Sequence, residues 1–109
     1  MPDNYTISVV VFQDGPWWVA QCLEYNIGTQ AKSLPDLYYE VERTLVGRLT
    51  VAAELRVDPF ESLPPAPKRY WTMFEHAKLH LSRDRLPFRM PASLASRVPV
   101  PELRIAELV

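Results

Sequence analysis

His76 and His80 stand four residues apart, and Cys22 is the one thiol in the chain. Metal or nucleophilic chemistry would have to begin with these side chains. On a helix, histidines at i and i+4 share a face and can fill two corners of a tetrahedral zinc site. A catalytic centre needs at least a third protein ligand, no further histidine exists, and Glu75 falls off that face. Two solvated or packing histidines are the expected state, with a metal shared between subunits as the sharper alternative. As a nucleophile, Cys22 would need a positioned base and a depressed pKa. Nothing nearby in sequence supplies either, so a small buried core residue is expected. A lone cysteine also excludes an intramolecular disulfide. No catalytic residue, metal or cofactor is expected.

Macromolecular binding would draw on other side chains. Trp17 and Trp18 are adjacent, so on a strand they face opposite ways, and aromatic residues are enriched at interface centres. The Pro64-Pro65-Ala66-Pro67 run would suit an aromatic groove, but a plain connector accounts for it equally well. Eight basic residues follow in the second part of the chain: Lys68, Arg69, Lys78, Arg83, Arg85, Arg89, Arg97 and Arg104. They offer phosphate contacts, and Tyr70 and Trp71 could stack on bases. These charges are interleaved with acids, and no glycine-rich phosphate loop accompanies them. Nucleic-acid binding through Lys68, Arg69, Arg83 and Arg85 is therefore the second-ranked function, and it predicts a strong salt dependence.

The bulk composition sets the frame for these groups. With 109 residues, 48% of them apolar, the chain is long enough for one core. Residues 1–65 carry four basic side chains against nine acidic ones, and residues 66–109 carry eight against four. The two parts are thus −5 and +4, within a net charge of −1. Such asymmetry steers a charged partner or docks the two parts on each other. No apolar run reaches the roughly 18 residues of a membrane span, and no signal peptide is visible, so a cytoplasmic location is expected.

The elements that must position these residues can be read from hydrophobic period. Tyr5 to Phe12 alternates and is rich in β-branched residues, which predicts a strand; Gln13-Asp14-Gly15-Pro16 predicts a turn, and Trp17 to Leu23 a second, antiparallel strand. Ile27 to Lys32 makes a short third strand. Then Leu34, Leu37, Tyr38, Val41, Leu45, Leu49 and Ala52 recur at helical spacing. Ser33 caps that helix with Asp36 in a capping-box position, and Asp58-Pro59 ends it. Over 34–57 it would be roughly 36 Å long, more than a three-stranded sheet can cover, so its far end should meet something else. Gly47, in its middle, costs about 1 kcal/mol relative to alanine and leaves room for another segment to approach. Residues 58–69 hold four prolines and read as a stiff connector. Tyr70, Phe74, Ala77 and Leu81 predict a second helix ending near Arg83. Leu103 to Ala106 predicts a last short strand at a sheet edge, because prolines precede it.

The stretch Val9-Val10-Val11-Phe12, Asp14-Gly15, Trp18-Val19-Ala20, Cys22-Leu23-Glu24, then Thr29-Gln30-Ala31, Ser33-Leu34 and Asp36-Leu37 resembles the HicB antitoxin family. Members show a strand, an acidic-glycine turn, an aromatic-x-Ala-x-Cys strand, a Gln-Gly pair and a Thr or Ser capping the helix. Ala31 stands here where glycine is usual. The resemblance covers about residues 5–57. It implies a partial RNase H-like fold, a dimer or higher oligomer, and binding of a small basic RNA-cleaving toxin. Operon autorepression would need a C-terminal ribbon-helix-helix or helix-turn-helix, for which the proline-rich tail leaves no room. RNase H catalysis needs clustered carboxylates for two metal ions. Strand one holds none, Glu24 ends strand two, and Asp36 and Glu40 fall in the first turns of the helix, so an enzyme is not expected.

The expected fold is thus α+β. An antiparallel three-stranded sheet packs on a long helix (β-β-β-α), followed by a C-terminal helix and a proline-rich tail. The expected organisation is an αβ domain at 1–57, a connector at 58–69, and a helix and tail at 70–109 packing on the same domain. Both sheet faces are too apolar for water, so the second must be covered by the C-terminal helix, another subunit or a partner. Val10, Phe12, Trp17, Val19 and Leu49 are the expected interface residues. The expected function is neutralisation of a toxin by occlusion, or a solitary oligomeric relative.

Overall fold

The computed structural model describes residues 7–77, 79–81 and 102–106. The elements run β1 (Ser8–Asp14), β2 (Trp17–Cys22), β3 (Gly28–Ala31), α1 (Leu34–Leu55), α2 (Lys68–His76), β4 (Leu79–Leu81) and β5 (Glu102–Ile105). The architecture is α+β. One mixed sheet in the order β3-β2-β1-β5-β4 packs against the long helix α1. No described helix is long and apolar enough to cross a membrane.

The β1–β2 hairpin closes through a two-residue turn between Asp14 and Trp17. Its first position requires a positive φ, and Gly15 adopts +59° there with no Cβ to clash. In this register Val9 faces Cys22 and Val11 faces Ala20 on one side of the sheet. Val10 faces Gln21 and Phe12 faces Val19 on the other. β3 then pairs antiparallel with β2. The turn between them is closed by buried Gln21, whose Nε2 donates to Cys22 O at 3.0 Å and to Asn26 Oδ1 at 2.9 Å. Gly28 leaves space for that side chain, because a Cβ there would lie 3.0 Å from Gln21 Oε1.

Ser33 caps α1 as expected. Its Oγ accepts from Asp36 N at 3.3 Å, and its carbonyl accepts from Leu37 N at 2.9 Å. Leu37, Val41, Leu45, Leu49 and Ala52 form the buried stripe. Leu37, Val41, Leu45 and Leu49 meet Ile7, just before β1, and Val9, Val11, Ala20, Cys22 and Ala31 from the sheet. The helix ends when Arg56 turns left-handed at φ 56°, with the amides of Arg56 and Val57 bonded back to Ala53 O and Ala52 O. That pattern satisfies carbonyls the helix end would otherwise leave bare.

Three expectations need correction. The sheet is not three antiparallel strands, since β5 joins it parallel to β1 and β4 pairs antiparallel with β5. β5 is therefore interior rather than an edge, which is allowed because the paired residues Glu102–Ile105 contain no proline and keep every ladder donor. The second helix spans Lys68–His76 and not Tyr70 to Arg83. Pro67 sits at its N-cap, and Ala77 is already extended at φ −68°, ψ 129°. Leu81, which matched the helical spacing, lies opposite Leu103 in β4. Pairing with a distant strand has overridden the local period.

The connector is more anchored than its composition suggests. Phe60 and Ala66 are buried, Phe60 stacks on Tyr25 with centroids 4.1 Å apart, and Ala66 N donates to Leu23 O at 2.8 Å. Lys68 and Arg69 belong to α2. This route carries α2 across the second sheet face, where Val10, Leu23, Ala66 and Phe74 form a smaller core with Phe12, Tyr70, Trp71 and Met73 around it. The chain's own C-terminal helix is thus the cover for that face over β1.

Candidate partner-binding surfaces

Side chains with chemical potential are committed to structure one by one. Cys22 is buried between sheet and helix, and burial, helped by the charge of Glu24, pushes its thiol up to about 12. At neutral pH it is a protonated, weakly nucleophilic thiol. The Glu24 carboxylate accepts from Ser8 N at 2.7 Å and from Ser8 Oγ at 2.8 Å, which clamps the end of β2 to the start of β1. Glu40 pairs with Arg43 at 2.7 Å one turn along α1, and Asp36 sits in the first turn, where the helix dipole favours a carboxylate. The three carboxylates therefore serve three separate structural ends.

The histidines do not share a helix face. His76 is the last residue of α2, whereas His80 lies in β4 opposite Arg104. The helix that would have aligned them stops between them. Among the described residues, no group of three or more His, Cys, Asp or Glu is placed to hold a metal ion.

Of the five expected interface residues, two are interior. Val10 is fully buried beneath α2, and Leu49 belongs to the α1 stripe facing the sheet. Their side chains fill the cores of this chain and are not available to a partner, because α2 and the sheet already cover them. Phe12, Trp17 and Val19 are half-buried. Phe12 and Val19 are directly opposite in the hairpin, Phe12 stacks on Tyr70 at 6.0 Å, and the Lys32 ammonium lies 5.5 Å from the Trp17 ring. Trp18 turns the other way and packs against the α1 core. The three residues form a strip on the sheet beside α2, over the β2 side that the helix leaves open.

The basic candidates divide similarly. Lys68 and Arg69 open α2, and Arg69 lies 4.7 Å over the Tyr70 ring while donating to its hydroxyl at 2.8 Å. Trp71 Nε1 donates to Ala66 O at 3.1 Å, so that ring tethers helix to connector rather than offering a free stacking face. Arg104 lies 4.1 Å over Phe74 and donates to its carbonyl at 3.3 Å. Arg83 and Arg85 lie outside the described residues.

The outer face of α1 includes the far end of the helix, for which a contact beyond the sheet is expected. Tyr39, Val51, Leu55 and, just beyond the helix, Val57 are exposed there. A shallow cleft of about 540 Å³ runs between the C-terminal half of α1 and the following turn, with Val51, Leu55, Val57 and Pro59 on its walls. Arg48 braces that turn by donating to Pro59 O at 3.1 Å. The signal was available in sequence, since these apolar residues fall off the buried stripe.

No protein-family model matches the sequence, and no curated protein or solved structure matches it significantly.

Proposed function

We propose that the chain is a non-enzymatic interaction module of the HicB antitoxin type. It neutralises a small basic RNA-cleaving protein by occluding its active surface, and it works as an oligomer. The observation that carries this reading is the half-exposed strip of Phe12, Trp17 and Val19 on the sheet. Such side chains bury large apolar area at little entropic cost, as interface centres require. The acidic excess of residues 1–65 complements a basic partner and would speed its encounter. The hairpin and capped helix also follow the order of the family resemblance, which supports the same assignment.

The test is purification of the tagged chain from its native host, followed by reconstitution. The expected outcome is a small basic protein in stoichiometric amount that degrades RNA alone and is silenced by an equimolar amount of this chain. Recovery of the chain alone, or a companion whose RNA cleavage is unaffected, would refute the antitoxin reading.

A further inference from the structure

Arg69, Tyr70, Phe12, Val19, Trp17 and Lys32 follow one another across the open part of the second sheet face. Arg69 lies 4.7 Å over the Tyr70 ring, which stacks on Phe12 with centroids 6.0 Å apart. Phe12 is paired with Val19 across the hairpin. Trp17 stands two residues from Val19 and so shares its face of β2, and the Lys32 ammonium lies 5.5 Å from the Trp17 ring. The strip is thus largely aromatic and ends in a cation on either side. Among the described residues neither cation is paired with a carboxylate, and each is held over a ring instead.

We propose that this strip binds a single-stranded nucleic acid, with bases stacked on Trp17 and on the Arg69–Tyr70 pair and phosphates held by Lys32 and Arg69. This goes beyond the protein-partner reading and does not rest on it. The two ligands exclude one another, because they cover the same side chains. Stacking on aromatic rings beside cations holds a strand with little regard to its sequence. Unstacked bases lie equally on rings and on guanidinium planes, and a sheet face presents both side by side. Gln30 is exposed beside Val19 and offers a donor and an acceptor to a base edge. A duplex keeps its base faces stacked inside and does not fit such a surface.

Charge and shape select this occupant. Lys68, also exposed, adjoins Arg69 at the start of α2. Asp14, opposite Trp17, is the only acid in β1, β2 or β3. Lys32, Lys68 and Arg69 therefore leave an excess of two positive charges about the strip. Glu75 lies two turns along α2 from Lys68, where Arg104 covers the neighbouring Phe74. Six of the nine acids of residues 1–65 lie instead on α1 and the turn after it, in the other layer. The excess favours an anionic ligand. Between an acidic peptide and a nucleic acid, the rings decide: a peptide side chain anchors in a pocket, whereas a base lies flat on a ring carried by strands.

The experiment is fluorescence anisotropy of the full chain with dye-labelled oligouridylate, oligothymidylate and a DNA duplex, each of about 8 nucleotides per strand, and with an oligoglutamate peptide. The expected result is that a single strand binds at least about tenfold more tightly than the duplex or the peptide at the same salt. The sugar preferred names the source as RNA or DNA. Affinity should fall with salt at a log–log slope of about −2, as three phosphate contacts require. Trp17→Leu should weaken the strand at least about fivefold by removing a stacking face. Lys32→Gln should make the salt slope shallower by about 0.7. Both side chains reach the surface, so the melting temperature of each variant should stay near that of the parent. No single-strand binding at micromolar concentration, or binding that both variants leave unchanged, would overturn the proposal. Tighter binding of oligoglutamate would overturn it in favour of an acidic protein. The protein-partner reading stands or falls separately, on recovery of its RNA-cleaving companion.

Discussion

Glu24 and Cys22 show how individual groups are assigned work by their surroundings. Replacing Glu24 by alanine leaves Ser8 N and Oγ without the acceptor that joins the two strand ends. Loss of a charged hydrogen-bond partner at a half-buried site costs about 1–3 kcal/mol, to be read as a lower urea midpoint at unchanged slope. Cys22 should resist thiol reagents at pH 8 in the folded protein and react fully in denaturant. Its pH dependence has a definite sign. Folding raises its pKa from 9.0 to about 12, because burial disfavours the thiolate. The unfolded thiol therefore ionises first as pH rises, and stability falls between about pH 9 and 12. Tyr38, also raised by burial, adds to the same trend. Denaturant titrations of the parent and Cys22→Ala should diverge in that window, with the parent declining more steeply.

Single helices carry two further consequences. Arg56 ends α1 in the left-handed region at φ 56°, where a Cβ is strained and glycine is not. Arg56→Gly should stabilise the fold by about 1 kcal/mol, visible as a rise of several degrees in Tm. α2 acts mainly as a lid on the second sheet face, through Phe74 resting over Val10 and Leu23. Phe74→Ala should cost roughly 3–5 kcal/mol, and calorimetry should show a much lower or broadened transition. The same change exposes apolar β1, so increased dye binding to apolar surface should accompany it.

At the level of the whole molecule, the sheet is buried on both faces at β1 but only partly covered over β2. That uneven cover leaves Trp17 and Val19 half-exposed, and this is the surface the proposed function assigns to a partner. Because Trp17 and Val19 are half-exposed, Trp17→Glu together with Val19→Glu should reduce partner affinity at least tenfold, roughly 1.4 kcal/mol or more. Thermal stability should change little in comparison, and calorimetric titration with the purified partner separates the two effects. A fall in Tm as large as that of Phe74→Ala would instead assign the strip to the core.

Local chemistry made much of this fold readable from the residues. The Asp14-Gly15 turn, the alternation of β1, the Ser33 cap and the Leu37-to-Ala52 stripe each act within a few residues, so their patterns survive in sequence. Burial of Cys22 was legible for the same reason, its neighbours being strand residues. Other features depend on contacts between distant segments. The end of α2, the strand β4 and the interior position of β5 arise from pairing of 79–81 with 103–105 and of β5 with β1. No local period records such a pairing, since its benefit appears only once two remote segments meet. Val10 and Leu49, expected at an interface, are core because α2 and the sheet already cover them, and the histidine pair separates where α2 stops. The exposed outer face of α1, with Tyr39, Val51 and Leu55, lies between the two cases. Its spacing is written in the sequence, but its lack of cover is known only after every other element has taken its place.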